Sequence, residues 1–123
     1  MTGLRIFVVD DDRDFAESLA DVLEPQGHTV ALAFSGEEAV QRFATEDFDI
    51  TFMDVRMPGM NGVESLFEMR RLKSDAKVMM MTGFSVDELP QQAVEGGAFG
   101  VLHKPFEPTE LLAAIEAMMT EAR

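Results

Sequence analysis

The 123 residues carry 23 acidic and ten basic side chains, a formal net charge of −13, and no cysteine. That balance argues against a grip on nucleic acid built from clustered Lys and Arg, and the missing cysteine excludes disulfides and thiolate metal sites. Nearly half the residues are apolar, enough for one buried core over residues 1–123. No apolar run approaches the roughly 20 residues of a membrane span, and the N-terminus has no signal-peptide pattern, so one soluble, cytoplasmic domain is expected.

Leu4 to Val9 is largely apolar and β-prone and predicts a first strand, followed by Asp10-Asp11-Asp12. Asp12 is placed to cap a helix in which Phe15, Ala16, Leu19, Ala20 and Leu23 share one face; Pro25 and Gly27 end it. His28 to Ala33 predicts a shorter, more polar strand at a sheet edge. Ser35 and Glu38 have capping-box spacing ahead of a second helix with Ala39, Val40, Phe43 and Ala44 inward. Ile50 to Met53 predicts a buried third strand. Asp54 stands at its end, ahead of the turn segment Pro58-Gly59-Met60-Asn61-Gly62. A third helix starts near Gly62 with Val63, Leu66, Phe67 and Arg70 stacked. Lys77 to Met81 predicts a fourth strand, buried on both faces. Ser85 and Glu88 again have capping spacing, but Pro90 interrupts, so the fourth helix is expected to be short and firm only after Pro90. Gly96 and Gly97 end it. Gly100 to His103 predicts a fifth strand, and Glu107 with Pro108 opens a last helix striped by Leu111, Leu112, Ile115, Met118 and Met119.

Five strands alternating with five helices imply an α/β fold with a parallel sheet covered on both faces. Right-handed crossovers make the doubly wound, flavodoxin-like order 2-1-3-4-5 the leading topology. Such sheets bind ligands outside the carboxyl ends of their strands at the switch point, here between strands 1 and 3, where Asp10, Asp11 and Asp54 fall. Crowded carboxylates repel unless a cation relieves them, and Mg²⁺ suits an all-oxygen set. The alternation of Asp10, Asp12 and Asp14 mimics a calcium loop. Phe15, however, stands where that loop needs glycine, and a strand rather than a helix precedes it.

Five motifs in order are VVDDD at 8 to 12, MDVRMPGMNG at 53 to 62, MTG at 81 to 83, GA at 97 to 98 and KPF at 104 to 106. With them the chain, over its whole length, resembles a response-regulator receiver domain, the phospho-acceptor half of two-component signalling. The resemblance implies a signalling phospho-acceptor rather than an enzyme, one that assists its own phosphorylation and dephosphorylation. Asp54 would take a phosphoryl group from a phosphohistidine on a sensor histidine kinase or phosphotransfer protein, or from a small phosphodonor. Mg²⁺ would be held by Asp11, Asp54 and the backbone carbonyl of Arg56, with Asp10 acting largely through water. Lys104 and Thr82 would meet phosphoryl oxygens, and the Lys104–Pro105 bond would be cis. Output would pass through the face formed by strand 4, helix 4, strand 5 and helix 5 to a downstream protein or output domain, without direct nucleic-acid or membrane binding.

Two positions depart from the common receiver pattern. Val101 stands where many receivers carry an aromatic ring, and Arg56 is a minority choice two residues after the acceptor. With no ring at Val101, the switch is assigned to Thr82 and the loop after it, with Phe84 re-packing. An aspartyl-phosphate phosphatase would need a second acid where Arg56 stands. A nucleotide-binding module would need a glycine-rich loop where Asp10-Asp11-Asp12 stands. A receiver that had lost its chemistry would lack Asp11, Asp54 or Lys104. His28 and His103 have no motif around them. A stand-alone regulator and the N-terminal receiver of a longer transcriptional regulator or hybrid kinase remain alternatives.

Overall fold

Strands β1 (Arg5–Val9), β2 (Thr29–Ala33), β3 (Ile50–Asp54), β4 (Val78–Thr82) and β5 (Gly100–His103) pair in parallel, in the order β2-β1-β3-β4-β5. Helices α1 (Arg13–Leu23), α2 (Gly36–Thr45), α3 (Gly62–Leu72), α4 (Leu89–Glu95) and α5 (Pro108–Thr120) connect them or close the chain. The computed structural model describes residues 3–83 and 89–120; Phe84, Ser85 and Glu88 lie outside the described residues.

Side chains alternate across each strand, so the sheet feeds two cores. Phe7, Val9, Met53, Val78 and Met80 meet Ala39 and Phe43 of α2, Leu66 and Met69 of α3, and Ala93 of α4. Ile6, Val8, Ile50, Phe52, Met79 and Met81 meet Ala16, Leu19 and Leu23 of α1, and Leu111, Ile115 and Met118 of α5. The central strand β3 is buried at every position, as a parallel strand covered on both faces must be. Each fully buried large apolar side chain contributes about 1.5–3 kcal/mol, and this sandwich holds the strand ends in fixed register.

Local chemistry sets the helix starts. The Asp12 carboxylate accepts the Phe15 N–H at 3.1 Å. Ser35 Oγ accepts the Glu38 N–H at 3.1 Å, but Glu38 returns its carboxylate to the N–H of Phe34 rather than Ser35, so the box is displaced by one residue. A full capping box forms instead at Asn61 and Glu64, with both reciprocal bonds at 2.9 Å. The face of α3 also differs from the expectation. Met69 is buried and Phe67 is 45% exposed, its ring lying against Gly96 at the end of α4. β4 runs one residue further than predicted and takes in Thr82. Gly97, at φ +109°, closes α4 in a conformation that favours glycine.

Candidate functional site

Strand register builds the site. Val9 pairs with Met53, so Asp10 and Asp54 leave neighbouring strands side by side at the carboxyl end of the sheet. The ladder continues past both. Asp10 N–H donates to the Ala33 carbonyl at 3.1 Å, and Val55 N–H donates to the Met81 carbonyl at 2.9 Å. α3 starts hard against this end, because a methyl on Gly62 would land on the carbonyl oxygen of Asp54. Asp10 and Asp54 are buried and Asp11 is exposed. Each offers an oxygen, and these oxygens lie within 4.8 Å of one another. Among the described residues this is the one such group of carboxylates or histidines.

β4 and β5 deliver the cation. The Lys104 N–H donates to the carbonyl of Thr82 at 2.7 Å, just beyond the last residue of β5. Lys104 Nζ then reaches Asp10 Oδ2 at 2.6 Å and Asp54 Oδ1 at 3.2 Å. The other oxygen of Asp10 accepts the Asp12 N–H at 3.0 Å. The Lys104–Pro105 bond is cis. Lys104 Nζ also sits 4.4 Å above the ring of Phe15, which meets Phe106 in a T-shaped pair at 5.7 Å.

Burial and crowding decide the protonation. Burial, and then the charge of Asp10, push the Asp54 carboxyl up to about 6 against the opposing pull of Lys104. Burial likewise raises Asp10 against its bond to Lys104. Burial works to lower Lys104, but the carboxylates of Asp10 and Asp54 outweigh it and hold the ammonium above its ordinary value. The cluster sets three carboxylates against one ammonium, which bonds Asp10 and Asp54, so the ionised cluster has excess negative charge. The donor set is oxygen only, without His or Cys, which suits a hard divalent cation completed by water.

The structure brings together Asp10, Asp11, Asp54 and Lys104. Thr82 is buried at the adjoining end of β4, opposite His103. Arg56 lies on the exposed loop leaving β3 and lines a shallow groove with Met57, Pro58, Gly59 and Asn61. Val101 is half-buried inside the sheet, opposite Met80, against the α2–α4 core. Phe84 falls outside the described residues. His28 is buried at the far end of the sheet, where its Nδ1 accepts the Leu4 N–H at 3.3 Å, and His103 is exposed. Phe15 is the residue that sequence reasoning missed. Its place on the apolar face of α1 suggested core packing alone, and no local pattern pairs it with Lys104.

Residues 6–116 match the family model of the response regulator receiver domain. A response regulator receiver protein of Anaeromyxobacter is 39% identical over 108 residues, which is 88% of this chain and 45% of that protein. The chemotaxis protein CheY of Thermotoga maritima is 31% identical over 114 residues, 92% of this chain and 95% of that one. A solved CheY-like receiver domain protein of Methanospirillum hungatei superposes with a TM-score of 0.92 at 30% identity, covering 98% of this chain and 96% of that one. The chain spans half the length or less of the curated transcriptional regulators it matches. Among the described residues, no helix is long and apolar enough to cross a membrane.

Proposed function

The chain belongs to the response regulator receiver domain family, and from that premise we propose that Asp54 accepts a phosphoryl group from a phosphohistidine on a histidine kinase or phosphotransfer protein. The observation that carries this reading is the place of Asp54. It is buried at the end of β3, beside Asp10 and Asp11, with Lys104 Nζ 3.2 Å from its Oδ1.

A carboxylate oxygen of Asp54 attacks phosphorus in line. The P–O bond forms as the P–N bond breaks, and its electron pair returns to the imidazole. Such transfer needs positioning and charge neutralisation more than side-chain proton transfer. With a value of about 6, Asp54 is mostly ionised at neutral pH and ready as a nucleophile. Lys104 holds Asp54 now and meets the phosphoryl oxygens afterwards. Thr82 offers a hydroxyl from the adjoining strand end. Asp11, Asp54 and the backbone carbonyl of Arg56 would hold Mg²⁺, with Asp10 acting through water; the ion supplies neutralisation of the acids and the incoming phosphoryl charge. The domain thereby assists its own phosphorylation and dephosphorylation.

The new charge, about −1.5 to −2, draws on Thr82 and Lys104 and re-sets the face of β4, α4, β5 and α5 that meets a downstream protein or output domain. The chemistry serves equally a stand-alone regulator or the receiver of a longer transcriptional regulator; the chain spans 50% of one such curated regulator and 27% of another. The test is intact-mass measurement with Mg²⁺ and a small phosphodonor such as acetyl phosphate. The wild type gains the mass of one phosphoryl group and Asp54→Asn gains none; equal labelling of the two removes Asp54 as acceptor.

A further inference from the structure

The ring of Phe15 has more to do than fill the α1 face. It is only half-buried, and Lys104 Nζ lies 4.4 Å above it. Phe106, two residues after Lys104, meets the same ring at 83°. One short loop thus brings both the ammonium and a supporting ring onto Phe15. The face of an aromatic ring carries negative potential, and a partly desolvated ammonium binds it more strongly than a hydrated one. Lys104 is such a case, with 21% of its side chain exposed.

The other two partners of Lys104 are the carboxylates of Asp10 and Asp54, at 2.6 and 3.2 Å. On the phospho-acceptor reading, both change during the cycle. Cation binding engages their oxygens, and phosphorylation converts Asp54 from a carboxylate into an acyl phosphate. The ring of Phe15 neither titrates nor ligates a metal. We propose that Phe15 is a positioning residue, a seat that keeps the Lys104 ammonium beside Asp54 while its carboxylate partners are engaged elsewhere. The inference rests on the phospho-acceptor function but concerns a contact that exists without it.

Two variants separate the ring from mere bulk. Phe15→Leu keeps an apolar side chain and removes the ring; Phe15→Tyr keeps the ring. In the metal-free protein, the ε-methylene protons of Lys104 should show an upfield ring-current shift in the wild type and in Phe15→Tyr, lost in Phe15→Leu. Distant amide shifts, unchanged in all three, report an intact fold. With Mg²⁺ and acetyl phosphate, labelling of Asp54 should slow about three- to tenfold in Phe15→Leu and recover in Phe15→Tyr. A Lys104 shift that survives Phe15→Leu overturns the seat. A lost shift with unchanged labelling overturns its role in positioning. Absence of label in the wild type defeats the phospho-acceptor reading and with it any role in transfer, while the Lys104 shift still decides whether the seat exists.

Discussion

At Asp54 a buried carboxyl with a value of about 6 stands where a free side chain would have about 3.9. Burial is the main cause, Asp10 adds to it, and Lys104 opposes both. The raised value means that between about pH 4 and pH 6 the folded protein holds this proton and the unfolded chain does not. The contribution is therefore fully present below about pH 4 and is lost as pH rises through about 6. Two pH units correspond to about 3 kcal/mol, as an order of magnitude. Asp54→Asn keeps the shape and removes the ionisation. In the metal-free protein, urea unfolding should find the variant more stable than the wild type at pH 7, with the gap closing toward pH 4. A gap that is absent at pH 7, or that widens on acidification, would show that Asp54 ionises without penalty.

Among the elements, those legible in the sequence were the ones whose signals are local. Ile50 to Met53 is apolar enough to be a central strand, the Pro25–Gly27 and Gly96–Gly97 stops fall where helices end, and parallel connection rules leave few sheet orders. Those signals alone put Asp10, Asp11 and Asp54 at one strand-end cleft. The details that escaped depend on tertiary choice. Glu38 turns to Phe34 because an N–H is available there at 2.9 Å. Asn61 and Glu64 have the cap spacing, but the turn-rich MPGMNG segment masked where the cap lies. Helical spacing stacks Phe67 with Val63 and Leu66, but spacing alone does not reveal which residue of a stripe meets the sheet and which meets a neighbouring helix end. β4, α4 and β5 raise the question of the switch. α4 covers only seven residues, and Val101 opposite Met80 is an aliphatic core residue with no ring to swing. The movement is therefore expected to run from Thr82 through the residues that follow it in sequence. With beryllofluoride as phosphoryl mimic, amide NMR should show shift changes across residues 83 to 102 in the wild type and in Val101→Ala, lost in Thr82→Ala although the mimic still binds. Loss in Val101→Ala as complete as in Thr82→Ala would return the switch to the sheet interior.

The molecule as a whole carries a net charge of −13, and three of its carboxylates gather at one cleft, where Asp10 and Asp54 hold the Lys104 ammonium. A ligand that binds only the folded state stabilises it by mass action, by about 2.7 kcal/mol at a hundred times its dissociation constant. Millimolar Mg²⁺ should raise the melting temperature of the wild type beyond the effect of NaCl at matched ionic strength, and Asp11→Asn should lose most of the gain. An equal gain in wild type and variant would assign the effect to general screening of the acidic surface. The most direct measurement of the central claim is chemical trapping of the acceptor. Borohydride reduces an aspartyl phosphate to homoserine, which peptide sequencing by mass spectrometry locates. After phosphorylation in Mg²⁺, the account predicts homoserine at position 54; homoserine at Asp10 or Asp11 instead, or none while the protein carries phosphate, would contradict it.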